Sequence, residues 1–96
     1  MEFEYDIVKS DLNRQKHGIS LEEVKALWLV PGVEVEAKTM GEPRFLRIGK
    51  IKGKFYSCIF TIRKDNLRLI SARRSRPEEE KIYEGEEIRE EENEEN

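Results

Sequence analysis

The chain has 96 residues, 36% hydrophobic and 41% charged, and its 18 Lys+Arg against 21 Asp+Glu leave a formal net charge of −3. That length suits one domain with a limited core, and a single cysteine, Cys58, excludes an internal disulfide framework. No apolar run approaches the roughly 20 residues of a membrane helix, and the acidic start Met1-Glu2-Phe3-Glu4 does not resemble a signal peptide, so the expected compartment is the cytoplasm.

Phe3-Glu4-Tyr5 alternates as a short strand. Asp6 can cap a helix over residues 7–16, with Ile7, Val8 and Leu12 expected inward, and Gly18 supplies a left-handed stop. Ser20 and Glu23 form a capping box for a second helix, with Ile19 and Val24 as its hydrophobic staple. Leu21, Val24, Leu27 and Trp28 make its apolar stripe, and Pro31-Gly32 ends it. Strands are expected over residues 33–38, 44–51, 55–63 and 67–74, with a tight turn at Lys52-Gly53-Lys54 and another at Lys64-Asp65-Asn66. Ser75, Pro77 and Glu78 read as the start of a last helix that Ile82 and Tyr83 could dock. The order β-α-α-β-β-β-β-α describes an α+β fold: an antiparallel sheet packed against short helices on one face. Residues 1–85 form the domain, and residues 86–96 an acidic tail.

The net charge conceals an asymmetry. Residues 1–76 sum to +6 and residues 77–96 to −9. Residues 44–76 hold 11 basic side chains and one acid, Asp65, which within that window cannot neutralise them. Such a patch is the electrostatic footprint of nucleic-acid binding, although charge runs are often only solvated surface. Its densest part is Ser71-Ala72-Arg73-Arg74-Ser75-Arg76. Guanidinium forks bind phosphate bidentately. Alternation places Arg74, Arg76 and Arg68 on one face and Arg73 on the other, while Arg44, Arg47, Lys50, Lys54 and Arg63 extend the candidate nucleic-acid-binding surface, expected to grip RNA, from neighbouring strands. The acidic tail could fold back over these strands and compete with RNA.

His17, the only histidine, lies in the turn between the first two helices. It could act as general base for a ribose 2′-hydroxyl, or complement the helix dipole. Tyr83 has a polar tip that could meet a phosphate or pack the helix. Tyr56 could stack on a base but more simply joins the core. Cys58 reads as an inert core thiol, and one His with one Cys does not build a metal site, so neither metal nor cofactor is expected.

Phe3-Glu4-Tyr5-Asp6, Lys16-His17-Gly18-Ile19-Ser20-Leu21 with Glu23, Glu42-Pro43-Arg44-Phe45, Ile48-Gly49, and Ser71-Ala72-Arg73-Arg74 followed by Glu79 or Glu80 and Tyr83 together resemble the BrnT toxins over residues 1–85. The resemblance implies a RelE-like fold and a type II toxin–antitoxin system. It further implies RNA cleavage that arrests translation, on free or ribosome-bound RNA, and a BrnA-type antitoxin that reaches operator DNA on the toxin's behalf. On this reading cleavage is metal-independent, with His17, Arg73, Arg74 and Tyr83 as catalytic candidates and Arg44 in support. A non-catalytic nucleic-acid-binding module, or a protein that docks an acidic partner, would use the same patch.

Overall fold

A computed structural model of the chain describes residues 2–37 and 40–94, those beyond residue 85 by their backbone alone. The local signals act where the sequence places them. Asp6 accepts a hydrogen bond from the Lys9 N–H at 3.0 Å and opens α1 (Ile7–His17); Gly18, at φ 74°, closes it. Ser20 and Glu23 complete both halves of a capping box at the start of α2 (Leu21–Val24), which tightens into a 3-10 turn over Lys25–Leu29. The strands are β1 (Phe3–Glu4), β2 (Gly32–Ala37), β3 (Arg44–Ile51), β4 (Lys54–Arg63) and β5 (Asn66–Arg74), and α3 runs Pro77–Glu94. The β3–β4 hairpin turns on Lys52 and Gly53, both at positive φ, the geometry that matches strand twist in a two-residue loop.

The sheet has the order β1-β5-β4-β3-β2. The four longer strands pair antiparallel in sequence, but β1 joins β5 in parallel, Phe3 beside Leu67 and Glu4 beside Arg68, so the sheet is mixed rather than antiparallel throughout. One face carries the core. Leu21, Val24 and Leu27 pack on Cys58, Phe60, Leu67, Leu69 and Ala72, and Trp28 stands edge-on between Phe3 and Phe60. Burial pushes the Cys58 thiol up to about 12, so it stays protonated in the core. The opposite face receives α3, through Tyr83 against Phe55 and Glu79 against Arg73 and Ser57. The helices therefore cover both faces, not one.

Helix α1 is turned the other way from its expected orientation. Ile7, Val8 and Leu12 are exposed, whereas Ser10 and Asn13 are buried. The reason is what α1 packs against. β1 ends after two residues and leaves the rest of the β5 edge unpaired. Asn13 binds both backbone groups of Ala72 on that edge, donating to its carbonyl at 2.7 Å and accepting from its N–H at 3.2 Å, and it also donates to the Ile19 carbonyl. Ser10 Oγ accepts from the Leu21 N–H at the start of α2. A sheet edge and a helix start need hydrogen bonds, not methyl groups, so the polar side chains go in.

Two smaller expectations also change. Helix α3 is capped not by Ser75 and Glu78 but by the Glu79 carboxylate, which accepts from the Arg76 N–H at 2.9 Å, one residue later in the chain. Ser75 instead bonds Ser57 at 2.7 Å. Ile82 stays half-exposed, and Tyr83 alone of the pair makes the aromatic contact. The side chains of the expected acidic tail, residues 86–96, lie outside the described residues.

Candidate functional site

Strand register decides which basic side chains can act together. Phe60 pairs with Leu69 and Ile59 with Ser71, so Ile70 has no partner on β4 and β5 carries a bulge there. The bulge resets the alternation. Arg68 (beside Thr61) and Arg73 (beside Ser57) share the α3 face, while Arg74 (beside Tyr56) lies on the α1–α2 face. Simple alternation had grouped Arg68 with Arg74; the extra residue separates them.

The basic window is also partly neutralised, by acids from outside it. Arg47 pairs with Glu34, Arg63 with Glu42, Arg68 with Glu4 and Arg73 with Glu79. Arg47 is a half-buried clamp: it donates to the Leu27 and Val30 carbonyls and lies over the Trp28 ring, at a spot where Gly32 leaves room for its guanidinium. Arg73 is held at both ends of its fork by Glu79, at 2.6 and 2.8 Å. Burial of Glu79 opposes its ionisation, but hydrogen bonds from Arg73, the Arg76 N–H and Ser57 Oγ outweigh it and hold the carboxyl down at about 2. Tyr83 lies on this same side, against Phe55.

The other seven bases of the window (Arg44, Lys50, Lys52, Lys54, Lys64, Arg74 and Arg76) make no ion pair among the described residues. Arg44 and Lys64 sit at the far end of the strands, like Arg63. The remaining five gather at the β3–β4 hairpin and the end of β5. Arg74 donates from Nε to the Phe55 carbonyl and lies 5.6 Å over the Tyr56 ring, with both Nη atoms unpartnered among the described residues. Lys50 lies 4.9 Å over the Phe55 ring.

His17 meets this pole from the α1 side. Two cavities flank its turn. One, of about 240 Å³, is lined by Lys9, Leu12, Lys16, His17 and the bulge residues Ile70 and Ser71. The other, of about 280 Å³, is lined by Gly18, Glu23, Ala26, Ile51, Lys52 and Tyr56. The two share no residue; His17 lines the first and its neighbour Gly18 the second. His17, Lys54 and Arg74 thus lie on the α1–α2 side, whereas Lys50, over Phe55, lies across the sheet with Arg73 and Tyr83, and Arg44, Arg63 and Arg68 lie at its far end. Sequence reasoning missed Lys9, which lines the His17 cavity, and Lys52, which lines the one beside Gly18. The Lys52-Gly53 turn was the available signal, since it folds Lys52 back beside the α1–α2 connection. Among the described residues no three His, Cys, Asp or Glu side chains gather closely enough to hold a metal ion, and no helix is long and apolar enough to cross a membrane.

A family model described as the ribonuclease toxin BrnT of type II toxin–antitoxin systems matches residues 5–79, more than three quarters of the chain. The chain belongs to the BrnT toxin family. Its family is thus one of ribonuclease toxins, for which an antitoxin partner and an RNA substrate are the counterparts. The matched span contains both cavities, Arg74 and the Arg73–Glu79 pair, and stops within the first turn of α3. A comparison with curated proteins gives no match.

Proposed function

We propose that this protein is an endoribonuclease toxin that cuts RNA by metal-independent phosphoryl transfer at the His17–Arg74 pole, in the cytoplasm, and thereby inhibits translation. The observation that carries the reading is the family match together with unpaired cations and a histidine at one end of the sheet. His17 takes the proton of a ribose 2′-hydroxyl, whose oxygen attacks the adjacent phosphorus. The bond to the 5′-oxygen of the next nucleotide breaks, that oxygen receives a proton, and a 2′,3′-cyclic phosphate remains. Lys16, beside His17, is our candidate for the second proton. Arg74 stabilises the negative charge on the phosphorane oxygens, and Lys54 holds the flanking backbone, while Lys50, on the far face, guides more distant RNA. We assign Arg73 and Tyr83 to holding α3.

A RelE-like fold, with residues 1–85 as the toxin domain, and neutralisation by a BrnA-type antitoxin belong to the same reading. Incubation of labelled RNA with the purified protein, with and without a chelator, tests it. Cleavage that survives chelation and yields cyclic-phosphate ends is expected. His17→Ala and Arg74→Ala should each abolish most of it, and undiminished cleavage by either variant removes that residue from the mechanism. Regulated expression should arrest growth, and co-expression of the antitoxin should relieve it. A mere nucleic-acid-binding module would give salt-dependent binding with no breakdown.

A further inference from the structure

The cavity on the Gly18 side of the turn does not resemble a phosphate site. Its lining is mostly apolar, from Ile19, Ala26, Ile51 and Tyr56, and the Arg74 guanidinium lies 5.6 Å from the Tyr56 ring. Two groups of opposite charge complete it, the Glu23 carboxylate and the Lys52 ammonium. A carboxylate would repel a phosphate, and an apolar lining would leave phosphate oxygens without donors. A largely apolar cavity lined by an aromatic side chain, one acceptor and one donor instead suits a nucleobase, which offers a π face and a polar edge.

The two polar groups also discriminate between bases. An ionised carboxylate only accepts hydrogen bonds, and an ammonium only donates. Guanine presents, side by side, a carbonyl oxygen, a ring N–H and an exocyclic amine: one acceptor followed by two donors. Lys52 and Glu23 are the complement of that edge. Uracil would turn a carbonyl toward Glu23, and adenine and cytosine each present a ring-nitrogen acceptor beside a single amine. Glu23 stays available as an acceptor. Its Oε1 takes the Ser20 N–H in the capping box and lies 3.7 Å from Arg14 Nε, and its Oε2 has no partner among the described residues. Chiefly through that Ser20 N–H, with Arg14 and Lys52 nearby, the carboxyl is held below its ordinary range and remains charged.

We propose that the cavity between the α1–α2 turn and the β3–β4 hairpin is a base subsite that selects guanine next to the scissile phosphate. The proposal rests on the ribonuclease reading, and it follows from position: a base seated against Gly18 leaves its sugar and phosphate beside His17 and the lysines of the adjoining cavity.

Two measurements on the full-length protein separate the subsite from that reading. The first digests a random-sequence RNA pool and reads the bases at the cut ends. Guanine should be enriched about tenfold at one flanking position, the discrimination expected of a paired polar contact. Glu23→Gln, which keeps the capping box because glutamine also serves at that helix position, should collapse the enrichment to about twofold or less, because its amide can no longer accept from both donors. Cleavage without base preference, or preference unchanged in Glu23→Gln, overturns the subsite while leaving the ribonuclease standing. The second titrates non-cleavable 2′-deoxy dinucleotides bearing each base and follows the backbone amides of Gly18, Ala26 and Lys52 by NMR. Guanine-selective shifts at those amides without any RNA cleavage would leave the subsite and sink the ribonuclease. The absence of such shifts overturns the subsite.

Discussion

Arg73 and Arg74 are neighbours in β5 and meet opposite fates. Arg73 turns to the α3 face, where Glu79 fills its fork and Ser57 and the Arg76 N–H share the same carboxylate. Arg74 turns to the α1–α2 face, where it lies over Tyr56 with its outer nitrogens open to a ligand. Identical residue type and adjacent position thus yield a structural clasp on one side and a candidate catalytic cation on the other. What separates them is whether a carboxylate stands opposite, which no local count of charge reveals.

The contrast can be broken by exchange of losses. Arg74→Ala should lower RNA cleavage by about 10²–10³-fold, the usual cost of an electrostatic donor in a transition state, and shift stability by no more than ~0.5 kcal/mol, as surface substitutions do. Rate measurements beside urea unfolding check both halves. Glu79→Ala should act in the opposite sense, costing on the order of 3 kcal/mol in unfolding free energy because it strands a part-buried guanidinium; an unchanged unfolding midpoint would refute the clasp. Its pH dependence sharpens the same point. The Glu79 carboxyl sits at about 2 when folded and near 4.3 in an unfolded chain. Its contribution is therefore complete above about pH 5 and fades as pH falls toward 2. Acid titration of unfolding should be visibly flatter below pH 5 for Glu79→Gln than for the parent.

Helix α1 supplies the smaller pair of effects. Asn13→Ala should cost about 2 kcal/mol, since it leaves both backbone groups of Ala72 unpaired in a buried place. Val8→Ser, on the exposed side, should stay within ~0.5 kcal/mol by the same thermal or urea unfolding assay. A large loss in Val8→Ser would mean that the apolar side of the helix is buried after all.

Much of the framework was legible because it is written in short-range chemistry. Asp6, Gly18, the Ser20–Glu23 pair and the Lys52-Gly53 turn act on neighbours three or four residues away, and each sets an element boundary where it stands. Longer-range matters were not legible. A two-residue strand carries no pattern from which to infer its parallel pairing with β5. The periodicity of Ile7, Val8 and Leu12 shows that α1 has an apolar side, but the inward side was set by the needs of a sheet edge. For the site, the basic residues and His17 could be named from sequence, but not the sorting among them. Glu4, Glu34, Glu42 and Glu79, which neutralise four arginines, all come from outside the basic window.

The bulge at Ile70 behaves as a change of reading frame in the strand. Upstream of it β5 is in phase with a regular ladder, and downstream everything is displaced by one step, which is why Arg68 and Arg74, six positions apart, lie on opposite faces. Deleting Ile70 would straighten the ladder yet leave Arg73 beside Ser57 and Arg74 beside Tyr56, because the residue removed is the one without a partner on β4. Between members of the family, the number of residues separating two arginines on this strand therefore does not by itself say whether they share a face. Residue roles transfer safely only between chains in which the strand keeps its phase.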